Sequence, residues 1–321
     1  MADPHAIDGI LVQCGDRLFY PSNRRVRGHT PRLRDTSQRQ RSNAIRQRIT
    51  DTVVSRAPQV MVKVTVGGRG MKAIAAHLRY ITKNGRLVIE DDRGQLDRGK
   101  DAVNELVGEW RYSGGYIGDT SPRRESFNLM LSMPRGSADA GVVQRAAREF
   151  AQAELAGHKY VMVLHDHQAN PHVHLCVRAE SRHGQRLNPR KADLHRWRET
   201  FAEKLRGHGI EAEATRQATR GQSRNYPELW RMKAAEDGRL IKPRGERRRG
   251  AAVAANRTDA RQAWQAIATA LAKSDDIGDR QLAESIHRFT RDAAVQRDSI
   301  RRASSGERVN TPMPTLGGRS R

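Results

Sequence analysis

Histidines cluster in one short stretch of the chain, Leu164-His-Asp-His-Gln-Ala-Asn-Pro-His-Val-His-Leu-Cys-Val177, and imidazole is the commonest metal ligand among side chains. Alternation along a β-strand places His172 and His174 on one face of the second half of this stretch. If residues 166–171 form a hairpin loop, His165 lies opposite His172 on the same face. The three imidazoles would then converge, as in a divalent metal site that keeps positions open for substrate oxygens.

Neighbouring residues of this stretch have more than one interpretation. A single surface histidine usually has no ligand, but three on one face of one hairpin favour a metal site over chance. Asp166 and His167, in the loop, either hydrogen-bond to the metal ligands and orient them or are solvated turn residues. Cys176 shares the histidine face, and we interpret it as a small core residue.

A tyrosine upstream of the histidines could supply a nucleophile. An apolar stripe repeats at helical spacing over Met71, Ile74, Leu78 and Ile81. Tyr80 lies about 140° from the centre of this stripe at ~100° per residue, with Lys83 close to the same side. The position fits either an exposed tyrosine on a charged helix or a phenol that attacks a phosphodiester. Because the pKa of a free phenol is about 10, attack needs a metal or neighbouring cations.

The elements that would position these residues follow an α/β pattern. Strands are predicted at 60–66, 86–90, 127–133, 160–165 and 172–179. Helices are predicted at 71–81, 103–110, 142–150 and 194–208. The short connection between the last two strands favours an antiparallel hairpin over a parallel crossover. We therefore expect a layered α/β domain over residues 59–222.

The flanking segments differ from this domain in composition. Residues 1–58 are rich in Arg, lack Lys and hold few periodic apolar positions, which predicts a basic flexible arm with a short helix near 40–54. We expect a basic linker at 223–257, a helical C-terminal region at 258–303 and a disordered basic tail at 304–321.

Charge and composition restrict the class of protein. The 321 residues carry 59 Lys and Arg against 36 Asp and Glu, a formal net charge of +23. Such a positive field concentrates polyanions, so nucleic acid is the first expected partner. With Cys14 and Cys176 as the only cysteines, a disulfide framework and a four-cysteine zinc module are excluded. Short apolar runs predict no membrane insertion, and the first residues do not resemble a secretory signal.

Three blocks of the sequence resemble the tyrosine relaxases, or mobilisation nucleases, of the HUH endonuclease superfamily, including the T-DNA border-nicking type. Residues 62–70 with 77–87 resemble the first strand and the nucleophile helix, with Tyr80 at the catalytic position. Residues 127–136 resemble the second central strand. Residues 165–177 resemble the metal motif, in which a first His precedes Pro-His-x-His.

This resemblance implies an antiparallel central sheet flanked by helices and a metal-dependent transesterification on one DNA strand. Tyr80 would attack the scissile phosphate at an origin of transfer and form a 5′-phosphotyrosyl adduct for conjugative mobilisation. Mg²⁺ or Mn²⁺ would be held by His165, His172 and His174. Phosphates of the DNA would be contacted by Lys83, Arg86, Arg178 and Arg220.

The resemblance also implies partners and a location. Single-stranded DNA at the origin, accessory relaxosome proteins and a type IV secretion coupling protein are expected, in the bacterial cytoplasm, with translocation alongside the DNA left open. Two features depart from the family pattern. The family often has an acidic residue two places after the first His, where this chain has His167, and its tyrosine usually lies near the N-terminus, whereas residues 1–58 precede the strand here.

Other interpretations remain open at this point. A rolling-circle replication initiator uses the same His pair, but its tyrosine follows the histidines, which would make Tyr226 the nucleophile. A metal-dependent phosphodiesterase with a water nucleophile needs no tyrosine. Histidine-triad nucleotidyl hydrolases share part of the His pattern, but their third His is Cys176 here. A non-enzymatic DNA-binding module explains the charge and leaves the clustered imidazoles unexplained.

Overall fold

The computed structural model describes residues 4–20, 37–167, 170–215, 219–220 and 251–305. These residues belong to two compact units: one includes Ser55–Thr215, and the other is helical. The helices are α1 (Pro4–Phe19), α2 (Gln38–Val53), α3 (Met71–Ile81), α4 (Lys100–Tyr112), α5 (Ala140–Glu154), α6 (Lys191–Gly207), α7 (Ala251–Leu271) and α8 (Ile277–Ser305). The strands are β1 (Met61–Val64), β2 (Ile89–Asp91), β3 (Leu96–Asp97), β4 (Ser126–Ser132), β5 (His158–His165) and β6 (His172–Ser181).

The strands form one sheet in the order β1-β4-β6-β5-β2-β3, and every neighbouring pair is antiparallel. At its centre, β5 and β6 form a hairpin in which His165 pairs with His172. β4 pairs with the other edge of β6, where Ser126 lies opposite Arg178. The α/β fold with an antiparallel central sheet flanked by helices, as predicted, is confirmed.

Helices cover both faces of this sheet because the side chains of the central strands alternate between two apolar cores. On one face, Val173 and Leu175 of β6 pack in a core with α5 and α6. On the other face, Cys176 packs in a second core with residues of α3 and α4. The thiol of Cys176 is fully buried, which confirms the interpretation of this residue as core. The histidines of β6 continue this second face toward the hairpin loop.

The start of α3 is fixed by a tight glycine-containing loop. The backbone N–H of Met71 donates to the carbonyl oxygen of Gly118 at 2.9 Å. Gly70 has φ +96°, and a Cβ atom there would lie 2.4 Å from the carbonyl oxygen of Asp119, so the close approach requires glycine. The predicted apolar stripe is buried along the helix, at Met71, Ile74, Leu78 and Ile81. Both constraints fix the direction in which Tyr80 projects.

The helical unit contains α1, α2, α7 and α8 around a separate apolar core. Leu11 of α1, Ile49 of α2 and Trp264 of α7 are buried in this core. The prediction of a flexible arm over residues 1–58 is therefore wrong for α1 and α2, although α2 matches the short helix expected near 40–54. Residues 21–36 lie outside the described residues.

Ion pairs explain why the arginine-rich composition of residues 1–58 wrongly predicted a flexible arm. The guanidinium of Arg46 on α2 contacts Asp8 of α1 at 2.9 Å and Asp279 of α8 at 2.8 Å. Arg41 of α2 contacts Asp16 of α1 at 2.6 Å. These arginines hold helices together, whereas composition alone counts them as solvated charges.

The C-terminal segments are described only in part. Most of the predicted linker at 223–257 and of the predicted tail at 304–321 lies outside the described residues, and α7 already begins at Ala251. The sheet-containing unit ends at Thr215, compared with the expected boundary at 222. None of the described helices is both long and apolar enough to cross a membrane.

Replacing Arg46 with alanine should destabilise the helical unit. Burial alone would raise the pKa of Asp279, but hydrogen bonds from Arg46 and Ser274 hold the pKa below its ordinary value. Without the guanidinium, this largely buried carboxylate loses its main partner, at a cost of roughly 1–3 kcal/mol. Faster hydrogen exchange in peptides of α2 and α8 would report this loss. Arg39→Ala, an exposed position on the same helix, is the control, and an equal effect there would contradict the assignment.

Candidate metal centre and nucleophile helix

Three imidazoles meet where β5 ends and β6 begins. His165 pairs directly with His172 across the hairpin, and His174 lies on the same face, opposite Val163. The ring centroids are 5.0 Å apart for His165 and His172, 4.6 Å for His165 and His174, and 5.0 Å for His172 and His174. One nitrogen of each ring lies within 4.8 Å of the others. A single divalent cation fits among three nitrogens at this spacing.

Backbone carbonyl groups fix two of these rings. The Nε2–H group of His165 donates to the carbonyl oxygen of Ile81 at 2.6 Å. The Nδ1–H group of His172 donates to the carbonyl oxygen of Asn170 at 3.0 Å. Each bond places the proton on one nitrogen and leaves Nδ1 of His165 and Nε2 of His172 with a free lone pair. Because Ile81 is the last residue of α3, the first bond also ties the helix that carries Tyr80 to the histidines.

Burial keeps the three imidazoles neutral. It lowers the pKa of His165 and of His172, with neighbouring histidines adding to the effect. Burial together with the other two rings lowers the pKa of His174 to about 3. At neutral pH each ring therefore keeps the lone pair that a metal ion requires.

The loop residues Asp166 and His167 are both exposed. The ring centroid of His167 lies 5.3 Å from that of His165, so His167 can approach a ligand bound at the cluster. The rings of His165 and His172 are oriented by carbonyl groups of the backbone rather than by a carboxylate. These two rings therefore need no carboxylate at the position of His167 to orient them.

Tyr80 lies in the last turn of α3, away from the buried stripe, and is 70% exposed. Its ring stacks on the ring of His77, one helical turn earlier, with centroids 6.3 Å apart and an angle of 30°. The next residue, Ile81, accepts the hydrogen bond from His165. The exposed phenol is therefore on a rigid helix whose end contacts the histidine cluster.

His77 is a candidate site residue that sequence reasoning missed. Its buried Nε2 atom has no hydrogen-bond partner among the described residues, and burial lowers the pKa of His77 to about 4. A positive charge on His77 would lower the pKa of His174. The sequence signal was the spacing of three residues between His77 and Tyr80, which places both side chains on one side of a helix.

The four predicted phosphate contacts have different environments. Lys83, just beyond α3, is partly exposed and close enough to His165 to lower its pKa, and Arg86 is exposed. Arg178 is only 4% exposed, and its guanidinium donates to the carbonyl oxygens of Trp110 and Gly115. The prediction that Arg178 contacts DNA is therefore wrong, because its guanidinium is buried and bonded to carbonyl oxygens inside the protein.

Arg220 is also misassigned as a phosphate contact, since its side chain is 7% exposed and belongs to the helical unit. Among the other tyrosines, Tyr160 is buried in the core opposite the histidine face, and burial raises its pKa to about 12. Tyr112 and Tyr116 are exposed at the end of α4. Tyr226 lies outside the described residues.

Comparison with known proteins supports the resemblance to relaxases. Residues 95–210 match the protein-family model described as Relaxase: MobA/VirD2-like, nuclease domain. This range contains the three clustered histidines, while α3 with Tyr80 lies upstream of it. No curated protein sequence matches the chain.

Proposed function

We propose that this protein, a relaxase of the HUH superfamily, nicks one DNA strand at an origin of transfer by transesterification onto Tyr80. The observation that carries the proposal is the bond between His165 and Ile81, which joins the histidine cluster to the helix that presents an exposed tyrosine. A relaxase acts on DNA as an endonuclease. The origin, the single strand and the covalent intermediate are our proposals.

The donor set at the hairpin fits a divalent cation. His165, His172 and His174 would hold Mg²⁺ or Mn²⁺, and an all-nitrogen set accommodates Mn²⁺, a first-row transition ion, better than Mg²⁺. A cation bound there would draw charge from the scissile phosphate. The neutral state of the three imidazoles supports this assignment, because protonated rings could not bind a metal.

The chemistry of this chain's own residues is an exchange of one phosphoester bond for another. The Oη atom of Tyr80 forms a bond to phosphorus as the bond from phosphorus to the 3′ oxygen breaks. The phenol loses its proton and the leaving 3′ oxygen gains one, so the products are a 5′-phosphotyrosyl strand and a free 3′-OH. Lys83 and Arg86, beyond the end of α3, would contact neighbouring phosphates. α3 holds the phenol in place, which lowers the entropic cost of attack.

The adduct retains the energy of the broken bond, so the reverse reaction can rejoin the strand. Such a reversible cut suits conjugative mobilisation, in which a strand is released, transferred and resealed. On this basis we propose accessory relaxosome proteins and a type IV secretion coupling protein as partners, with the nick made in the bacterial cytoplasm.

The test is covalent capture of DNA by the purified full-length chain. Single-stranded oligonucleotides that tile the DNA around the coding gene are labelled at the 3′ end, because the protein would retain the 5′ phosphate of the downstream fragment. We expect a labelled band at the mass of protein plus DNA on a denaturing gel with Mn²⁺, and none after chelation with EDTA. Cleavage that leaves a free 5′-phosphate and no protein-linked label would favour a water nucleophile and contradict the proposal.

A further inference from the structure

Two tyrosines outside the histidine site are exposed side by side. Tyr112 ends α4 and is 70% exposed, and Tyr116 in the following loop is 67% exposed. Their ring centroids are 5.8 Å apart with an angle of 42°. Large aromatic side chains gain stability when they are buried, so a pair left exposed on an ordered segment suggests a binding surface.

The segment that carries both tyrosines is anchored. The guanidinium of Arg178, on β6, donates to the carbonyl oxygen of Trp110 at 2.7 Å and also to that of Gly115. The backbone N–H of Ile117 donates to the carbonyl oxygen of Arg111 at 3.0 Å, and the side chain of Ile117 is buried. The exposure of the rings therefore results from a fixed backbone, and the buried Arg178 supports that backbone from beneath.

The tyrosine pair lies beside the nucleophile helix. Arg178 shares the face of β6 that carries His174, four residues away, or about 13 Å along the strand. The loop after Tyr116 caps α3, since Gly118 and Asp119 accept hydrogen bonds from the first two residues of that helix. Tyr80 lies near the other end of α3, and the 11 residues of this helix span about 16 Å. A strand of a few nucleotides can reach from one site to the other.

Cationic side chains lie on α4, which carries Tyr112, and at the start of α3, which the loop after Tyr116 caps. Arg111 contacts the side chains of both Tyr116 and Asp119. Arg69 and Lys72, at the start of α3, are exposed. Aromatic rings beside cations are the surface that proteins use for single-stranded nucleic acid, because bases stack on the rings and phosphates contact the cations.

We propose that Tyr112 and Tyr116 form a stacking platform for unpaired bases of the DNA strand that Tyr80 cleaves. This inference rests on the proposed function, which identifies the bound strand as the one that is cleaved. It adds a surface that contacts bases, whereas the cations contact phosphates. The platform positions DNA and takes no part in bond breaking.

The experiment separates stacking from phosphate contact and from cleavage. Binding of the full-length chain to a fluorescein-labelled, mixed-sequence single-stranded 20-nucleotide DNA is measured by anisotropy in EDTA, in the Tyr80→Phe background. The same measurement is made with an abasic strand of equal length. We expect Tyr112→Ala with Tyr116→Ala to weaken binding of the DNA that carries bases by roughly tenfold or more. Binding of the abasic strand should change less than twofold.

Two further variants complete the test. Tyr112→Phe with Tyr116→Phe keeps both rings and should bind as tightly as the parent, while Leu96→Ala removes an exposed apolar side chain elsewhere in the same unit and should have no effect. Equal weakening for the abasic strand, or unchanged binding of the strand that carries bases, would overturn the platform and leave the pair to another partner such as a protein. Because this assay needs no cleavage, its result is independent of covalent capture with Mn²⁺, which tests the proposed function.

Discussion

Tyr80→Phe should eliminate the covalent protein–DNA adduct, by a factor of at least about 10³. The substitution removes the Oη atom that would attack phosphorus and keeps the ring that stacks on His77. Since Tyr80 is 70% exposed, loss of its hydroxyl should leave folding and metal binding unchanged. Covalent capture of 3′-labelled DNA, with circular dichroism to monitor the fold, provides the measurement.

Leu96→Ala is the control for this variant, because it alters another exposed side chain of the same unit, outside the residues proposed to contact DNA. It should retain the adduct. Persistence of the adduct in Tyr80→Phe together with its loss in Tyr226→Phe would show the residue order of a rolling-circle initiator, and the assignment of Tyr80 would be wrong.

His174→Ala should abolish metal-dependent nicking while DNA affinity changes little. The ring of His174 supplies one of three nitrogens that lie within 4.8 Å of each other, so its loss leaves an incomplete donor set. DNA affinity arises from many cations in a chain of net charge +23, and one neutral imidazole contributes little to it. Calorimetric titration with Mn²⁺ should show heat of binding for the wild type and little for the variant.

Thermal unfolding gives an independent readout of the same variant. A ligand that binds the folded state raises the unfolding temperature, so Mn²⁺ should stabilise the wild type and not His174→Ala. His183→Ala, which removes an exposed histidine from the turn after β6, is the control and should keep the response. If His174→Ala lost DNA binding and nicking in parallel, the histidines would be holding the fold instead of a metal.

Patterns with a short repeat were predictable from the sequence. The alternation of β6 alone places His172 and His174 on one face, and the short loop then brings His165 opposite His172. The helical repeat of the apolar stripe likewise predicts which side of α3 is buried and that Tyr80 projects elsewhere. Both inferences need only local geometry, which the chain carries in consecutive residues.

Features that depend on distant parts of the chain were not predictable. The core of the helical unit combines segments from both ends of the sequence, as the contact between Arg46 and Asp279 illustrates. Each helix taken alone does not indicate which other helices cover its apolar residues. The composition likewise does not show which cations face solvent. Arg178 and Arg220 contribute to the positive charge, yet both are buried. For His77, the spacing of three residues indicates the side of the helix shared with Tyr80, but the burial of its Nε2 atom depends on residues that pack there from elsewhere in the chain.

Mass spectrometry of the adduct tests the central claim most directly. The full-length chain is incubated with Mn²⁺ and single-stranded DNA that it cleaves, the covalent complex is digested with nuclease and trypsin, and peptides that carry a nucleotide are sequenced. We predict a 5′-phosphonucleotide on the peptide that contains Tyr80, which trypsin releases after Arg79 and Lys83. A nucleotide on the peptide that contains Tyr226, or cleaved DNA with no modified peptide, would contradict the account.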